Sequence, residues 1–431
     1  MSDADQPSPG LGFSTRAIRA STRAPRVDQE PNSVPIYQAV TFSSRDAAEL
    51  GAISTGAQAG YSYARLANPT GDALAAAVAE LEGAEAGAVF ASGMAAIHAA
   101  LLSLLRAGDR VVATRAIYGS SRNLLVGTFG RFGVETVEVD ATDLAAVEAA
   151  LAAAPTRILY VETISNPTIV VVDIAALAEL AHRHGARLVV DNTFASPVLC
   201  RPIELGADLV VESMTKYLGG HSDVLGGSVC GSKALIAEIK AVEVDTGGTL
   251  APFAAFLVLR GLATLAVRVA RHAQTARALA AWLEGQPGVV RVYHPDLASH
   301  PQHEVAARQF PHASGMLAFE LAGGPLGGRA AGGAFIDALT IPERTASLGS
   351  VHTIVAHPPT TTHRQYDEAQ LAAAGIAPGL LRCSVGLEDL DDLVADFERA
   401  LVAARAACTA VVDAGRSAGS EQPAVAGALA G

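Results

Sequence analysis

No run of residues in this chain is long and apolar enough to span a membrane, although half of the residues are hydrophobic. A membrane is therefore not an expected partner. Cysteine is sparse. The four present, Cys200, Cys230, Cys383 and Cys408, stand far apart with no CxxC spacing. That argues against a disulfide framework and a structural zinc site, and suits a reducing, cytoplasmic setting. Positive charge is short as well: 31 lysines and arginines face 43 acids, and they form no basic stripe. Nucleic acid and anionic membrane surfaces are not expected partners either. The first ten residues, MSDADQPSPG, hold acids and no hydrophobic block, which reads against a secretory signal. GxGxxG, GxxxxGK[ST] and Gly-x-Ser-x-Gly are all missing, so nicotinamide, P-loop and serine-hydrolase chemistry have no support. His352, His357 and His363 cluster, but Pro358 and Pro359 break any helix between them. No metal is expected.

What the chain does have is a regular alternation. Short β-branched runs fall at 87–91, 110–113, 136–139, 158–161, 187–190 and 208–211. Ala/Leu-rich, helix-like segments separate them at 71–81, 95–105, 143–153 and 174–184. Strands alternating with helices predict an α/β fold with a mostly parallel sheet covered on both faces. After about residue 250 the pattern changes. A helical apolar stripe covers 262–283, with Gly285 and Pro287 to stop it. Strand-like 289–293 and 316–321, a glycine-rich connection at 323–333 and a last helix near 389–404 follow. The expected organisation is an extended, proline-rich arm over 1–60, a large domain over 61–250, a smaller α/β domain over 251–408, and a disordered tail over 409–431.

The densest chemical signal is VESMTKYLGGHSD, from Val211 to Asp223. It puts Lys216 between the hydroxyls of Ser213 and Thr215, just past a strand-like run. A strand end suits an amine that forms an imine with an aldehyde better than it suits a solvated cation. The flanking hydroxyls suit a phosphate. Together they point to pyridoxal 5′-phosphate (PLP), which also needs an acid for its pyridine nitrogen, a phosphate cradle, a ring partner and an arginine for the substrate carboxylate. Asp191 ends the run RLVVD, 25 residues before Lys216, and so reaches the same strand edge. Ala91-Ser92-Gly93-Met94-Ala95 runs from strand into helix, where free N–H groups suit a dianion. Tyr118 follows a strand and could stack on the ring. Arg382, in apolar LLRCSVG, calls for an anion. Each has a plainer reading alone: a turn former, an N-cap, a packed tyrosine. The combination favours the cofactor.

These segments resemble the Cys/Met-metabolism PLP enzymes, which include cystathionine γ-synthase, cystathionine γ-lyase, methionine γ-lyase and the O-acylhomoserine sulfhydrylases. VPIYQAVTF, YARLANPTGD, VFASGMAAI, VETISNPT, VVDNTFASP, HPPTTTH and LRCSVGLEDLDDL carry the likeness together with the lysine segment. The resemblance implies PLP fold type I, aspartate-aminotransferase-like, with residues 61–250 as the PLP-binding domain. It implies a homotetramer built as a dimer of dimers with active sites shared between subunits. Lys216 is then the imine lysine and Asp191 the pyridine partner. Gly93, Met94, Ser213 and Thr215 hold the phosphate, and Tyr63 and Arg65 reach a neighbouring subunit's phosphate. Tyr118 stacks and moves protons at the leaving group. Asn166, Arg382 and Thr353 lie near the substrate amino acid, and Glu162 is a family acid. The implied activity is Cγ–S cleavage or formation on a small amino acid, leaning towards methionine or cystathionine γ-lyase. The alternatives are a homoserine-ester sulfhydrylase or cystathionine γ-synthase, and, more remotely, a non-catalytic binding protein. His352-Thr353 stands where the cystathionine enzymes have a glutamate before Ser or Thr. Tyr118-Gly119-Ser120-Ser121 lacks the methionine γ-lyase cysteine.

Overall fold

The computed structural model describes residues 14, 15, 18, 30–311, 314–361, 364 and 367–420. The chain divides into two compact units between Pro35 and Ile36, and everything below concerns the second. The expectations for residues 1–10 and for His363 lie outside the described residues.

Seven strands form one sheet in the order β1-β7-β6-β5-β4-β2-β3. They are β1 Ala86–Phe90, β2 Arg110–Thr114, β3 Glu135–Val139, β4 Ile158–Glu162, β5 Arg187–Asp191, β6 Leu209–Glu212 and β7 Gly227–Gly231. Strands β2 to β6 pair in parallel, and β7 runs against both neighbours, β6 and β1. Six carboxyl ends therefore share one edge, the edge where open α/β sheets bind ligands. Side chains alternate between faces with period two. Val111, Ala113, Ile158, Tyr160 and Val189 pack on one face, and Val112, Leu159, Val161, Leu188 and Val190 on the other. Both faces are buried, which is why the strands read as unbroken apolar runs. The intervening helices are Pro69–Glu82, Gly93–Leu104, Leu144–Ala153 and Ile174–Arg183. Their N-caps, Asn68, Ser92, Asp143 and Asp173, each accept a first-turn N–H. Strand β7 had no signal in the sequence. Its GSVCG is glycine-bounded because a Cβ at Gly227 would lie 2.2 Å from Ser92 O.

A second, antiparallel sheet has the order β10-β11-β9-β8. Its strands are β8 Val289–Tyr293, β9 Met316–Leu321, β10 Ile354–Ala356 and β11 Leu380–Ser384. Phe319, Phe335 and Phe397 meet edge to face in its core, with ring centroids 5.3 Å apart for the pairs through Phe335.

Four expectations need correction. The glycine-rich stretch at 323–333 is not a connection: it is most of the helix Gly324–Ala338. Close packing overrides propensity there, since a Cβ at Gly332 would sit 2.5 Å from His357 Nε2. The apolar stripe from Leu262 does not belong to one helix. Pro252–Leu262 ends, the axis bends by 61°, and Leu265–Glu284 begins. Arg268 fixes the bend by donating to Gly261 O and Tyr217 O, each at 2.8 Å. The arm holds a helix at Ala47–Ser54, capped by Asp46. The last helix, Leu390–Ser420, runs well into the tail expected to be disordered. Among the described residues no single helix is long and apolar enough to cross a membrane.

Adjacent glycines test the packing argument. Gly332→Val should lower stability by roughly 1–3 kcal/mol in chemical denaturation. Gly333→Ala, whose Cβ meets nothing within 4 Å, should be neutral or stabilising by up to about 1 kcal/mol.

Candidate active site

A cavity of about 410 Å³ opens at the shared strand edge. Its floor comes from strand ends: Glu162 from β4, Asp191 from β5, Ser213, Thr215 and Lys216 from the turn after β6. Ser92, Gly93 and Met94 come from the turn after β1, and Tyr118 and Asn166 from the loops after β2 and β4. The small sheet contributes Arg382 from β11 and Ala346, Ser347 and Leu348 from a loop.

Lys216 Nζ donates to Ser347 Oγ at 2.7 Å. Burial, helped by the Arg382 guanidinium, pushes its pKa down to about 8. Arg382 is buried, donates from Nη1 to Asn166 Oδ1 at 3.0 Å and from Nη2 to Ser347 O at 2.7 Å, and is itself held down to about 10 by burial. Its Nε is buried without a partner among the described residues. A free, buried guanidinium donor calls for a ligand carboxylate.

Two acids line the same cavity. Asp191 accepts the Thr193 N–H at 3.0 Å and faces the Tyr160 hydroxyl at 3.4 Å. Burial raises its pKa, and Thr193 and Tyr160 draw it back. Glu162 accepts N–H bonds from Tyr118 at 2.6 Å and Asn166 at 3.3 Å, so one carboxylate sets two cavity loops. Burial and the nearby Asp191 raise its pKa well above the ordinary carboxylate range. A buried acid raised this way favours a cationic ligand atom beside it.

Ser92 caps the helix Gly93–Leu104 and leaves that helix's first N–H groups turned to the cavity end. A Cβ at Gly93 would lie 2.7 Å from Ser213 Cβ, so glycine is what lets the two turns close into a cradle. Thr215 Oγ1 accepts from Gly226 N at 3.1 Å and fixes the other side. An anion-binding cradle, a depressed lysine, a buried acid and a free guanidinium donor fit PLP and an amino acid carboxylate.

The expected residues do not all meet. Tyr63 and Arg65 lie outside the cavity lining; Arg65 Nη1 donates to Val244 O at 2.6 Å, and its guanidinium sits 5.6 Å over the Tyr63 ring. Thr353 is a correction: it is fully buried and not in the lining. Its N–H and hydroxyl both bond Glu388, at 2.7 and 2.6 Å, and its hydroxyl accepts from Gly386 N. Ser347 was missed. It touches both cations and holds φ at 94°, a left-handed conformation that a serine's letter does not announce.

Fold and site define a PLP-dependent enzyme of fold type I, built on a seven-stranded, mostly parallel sheet. The sequence profile of the Cys/Met metabolism PLP-dependent enzymes matches residues 14–402, and the chain belongs to that family. It is 45% identical to the L-methionine γ-lyase of Pseudomonas putida over 91% of this chain and 98% of that one. It is 43% identical to the O-succinylhomoserine sulfhydrylase of Pseudomonas aeruginosa, over 91% and 96%. The structure of cystathionine γ-synthase from Xanthomonas oryzae pv. oryzae, in complex with aminoacrylate and cysteine, superposes with a TM-score of 0.81 at 39% identity, over 87% of this chain and 94% of that one. The protein is an enzyme of methionine and cysteine metabolism that works on carbon–sulfur bonds of small amino acids.

The lysine's burial has a measurable cost. Its folded pKa of about 8 lies below the ordinary 10.5, so the folded state binds the proton less tightly. Stability is therefore reduced below about pH 8, and the deficit fades as pH rises towards 10.5. PLP-free Lys216→Met should melt higher than PLP-free wild type at neutral pH, by about 1–3 kcal/mol. The gap should close in alkaline melts.

Proposed function

We propose that this enzyme cleaves the Cγ–S bond of methionine or a similarly apolar thioether by γ-elimination. The observation that carries the reading is the lining of the cavity. Among the described residues its cations are Lys216 and Arg382, and beside the acids Glu162 and Asp191 it carries an apolar wall of Met94, Ile97, Ile164, Phe194, Leu225 and Leu348. Arg382 is engaged by the α-carboxylate, so a second carboxylate at a substrate's far end finds no charged partner in this subunit. A methylthio group finds apolar wall.

Bound PLP supplies a sink for the electron pair left at Cα. The residues do the rest. Arg382, with Asn166 on its Nη1, holds the substrate carboxylate and so aims the Cα–H bond. Asp191 keeps the pyridine nitrogen protonated. Lys216, once displaced by the substrate amine, takes the Cα proton on Nζ; an amine near pH 8 is partly neutral and can do so. Ser347 Oγ steadies Nζ during that transfer. Lys216 or Tyr118 then takes a proton from Cβ, and the electron pair left there expels the sulfur from Cγ; Tyr118, half-exposed at the mouth, gives the leaving sulfur its proton. Gly93, Met94, Ser213 and Thr215 hold the phosphate. Water completes the reaction, giving 2-oxobutyrate, ammonia and a thiol.

A second reading, γ-replacement on a homoserine ester, is favoured by the open mouth, where Tyr118 and Leu225 are exposed and a thiol could enter in place of water. We read residues 61–250 as the PLP-binding domain and 251–408 as the smaller domain. Tyr63 and Arg65, exposed and away from their own cavity, serve a neighbouring subunit's phosphate within a homotetramer. The setting is the cytoplasm, and nucleic acid and membrane have no part.

The purified protein should absorb in the visible, and borohydride trapping should place the adduct on Lys216. Lys216→Ala should lose both the band and turnover. Methionine alone should yield 2-oxobutyrate and ammonia. Product only from an O-acylhomoserine with sulfide or cysteine would favour the second reading. Arg65→Ala and Lys216→Ala should each be impaired, yet mixing them under subunit exchange should restore activity, because one hybrid site carries neither change. No recovery would sink the shared site.

A further inference from the structure

Beneath the floor of the cavity two carboxyls meet with no cation between them. Glu82 ends the helix Pro69–Glu82 and Glu212 ends β6. They are 0% and 2% exposed and lie within hydrogen-bond reach of each other. Glu82 Oε1 accepts from Asn192 Nδ2 at 3.0 Å. Asn192 follows Asp191 directly, donates to Cys200 O at 2.8 Å and accepts from Thr163 Oγ1 at 2.8 Å. The other oxygen of Glu82 and both oxygens of Glu212 have no donor among the described residues. Two ionised carboxylates cannot occupy such a site together. One proton between them turns two opposed acceptors into a hydrogen bond.

The surroundings offer no other remedy. The neighbours are Asp191 on β5, the thiols of Cys200 and Cys230, and the Arg201–Glu204 pair. That last pair is closed on itself at 2.9 Å and half-exposed.

We propose that Glu82 and Glu212 form a proton-sharing carboxyl pair that fixes the ends of β5 and β6, and that ionising it loosens the seat of PLP at alkaline pH. The inference rests on the reading of Asp191 and Ser213 as cofactor residues. Each adjoins a member of this network: Asp191 precedes Asn192, and Ser213 follows Glu212. Asn192 and Glu212 face away from the cavity lining, so the pair acts as positioning residues on the strand ends.

Burial pushes the Glu82 pKa up to about 7, and burial with Glu82 alongside raises Glu212 well above its ordinary range. A folded pKa raised above the ordinary 4.5 gives stability that is full below that value and is lost as pH rises through about 7 and beyond.

Glu212→Gln keeps a neutral hydrogen-bonding group that needs no shared proton. Melting and PLP retention of the full-length holoenzyme are followed from about pH 6 to about pH 9 in both proteins. The wild-type midpoint should fall by roughly 4 °C more than the variant's across that range, and the wild type should shed more PLP. Glu82→Gln should flatten the curve in the same way, whereas Glu82→Ala, which removes the Asn192 acceptor, should lose PLP at every pH. Parallel curves for wild type and both Gln variants overturn the proposal. Flattened melting with unchanged PLP loss would keep the carboxyl pair and sink its link to the cofactor seat, leaving the reading of Asp191 to the borohydride and turnover tests above. Should neither Gln variant fold, the infrared spectrum of Glu162→Gln, which lacks the other acid raised that far, decides. A protonated-carboxyl carbonyl band persisting above neutral pH is expected, and its absence refutes the pair.

Discussion

The site depends on Arg382 more than on any other side chain. A buried guanidinium is costly unless its donors are met. Asn166 meets one arm and Ser347 the other, and Nε is left over. The same charge, added to burial, holds down the Lys216 amine. One cation thus offers a free donor to an anion and holds down the neighbouring amine at once. It also joins the two sheets, since Arg382 belongs to β11 while Asn166 follows β4.

The large sheet's contribution is directional. Six strands deliver their carboxyl ends to one edge, so short turns suffice to bring Gly93, Tyr118, Glu162, Asp191 and Lys216 together from distant parts of the sequence. The reversed strand β7 closes the cradle from the other side, its Gly227 backed against Ser92 O. Period-two alternation then makes each strand end two-sided. Asp191 looks into the cavity, and its neighbour Asn192 looks down to the buried carboxyls.

How much of this could be read beforehand follows from where each signal lives. Strands β1 to β6 and the helices between them show in the letters because burial on both faces demands unbroken apolar runs and caps leave Asn, Ser and Asp at fixed offsets. Lys216 and Asp191 stand out in the letters because a charged residue at or just past the end of an apolar run is conspicuous. Ser347 does not, because its role lies in a φ of 94° and in a contact spanning 131 positions. Strand β7 and the helix Gly324–Ala338 are hidden for one shared reason: glycine chosen for close approach erases the propensity that sequence reading relies on. Thr353 misled because likeness of position in a motif says nothing of direction, and here the hydroxyl turns to Glu388.

Likeness to lyases, sulfhydrylases and a cystathionine γ-synthase at similar identity follows from the chemistry. Elimination and replacement share every step up to the departure of the Cγ substituent. They diverge afterwards, elimination ending in hydrolysis to a 2-oxo acid and ammonia and replacement in a new bond from Cγ to a thiol. Residues that serve those shared steps, as proposed for Lys216, Asp191 and Arg382, would not by themselves tell the two reactions apart. Beyond those steps the mouth is where substrates would differ, and among the described residues it exposes Tyr118 and Leu225. An apolar mouth stabilises a methylthio group and leaves a distal carboxylate to water. That apolar wall is the physical ground on which the proposed preference for methionine over cystathionine or a succinyl ester rests.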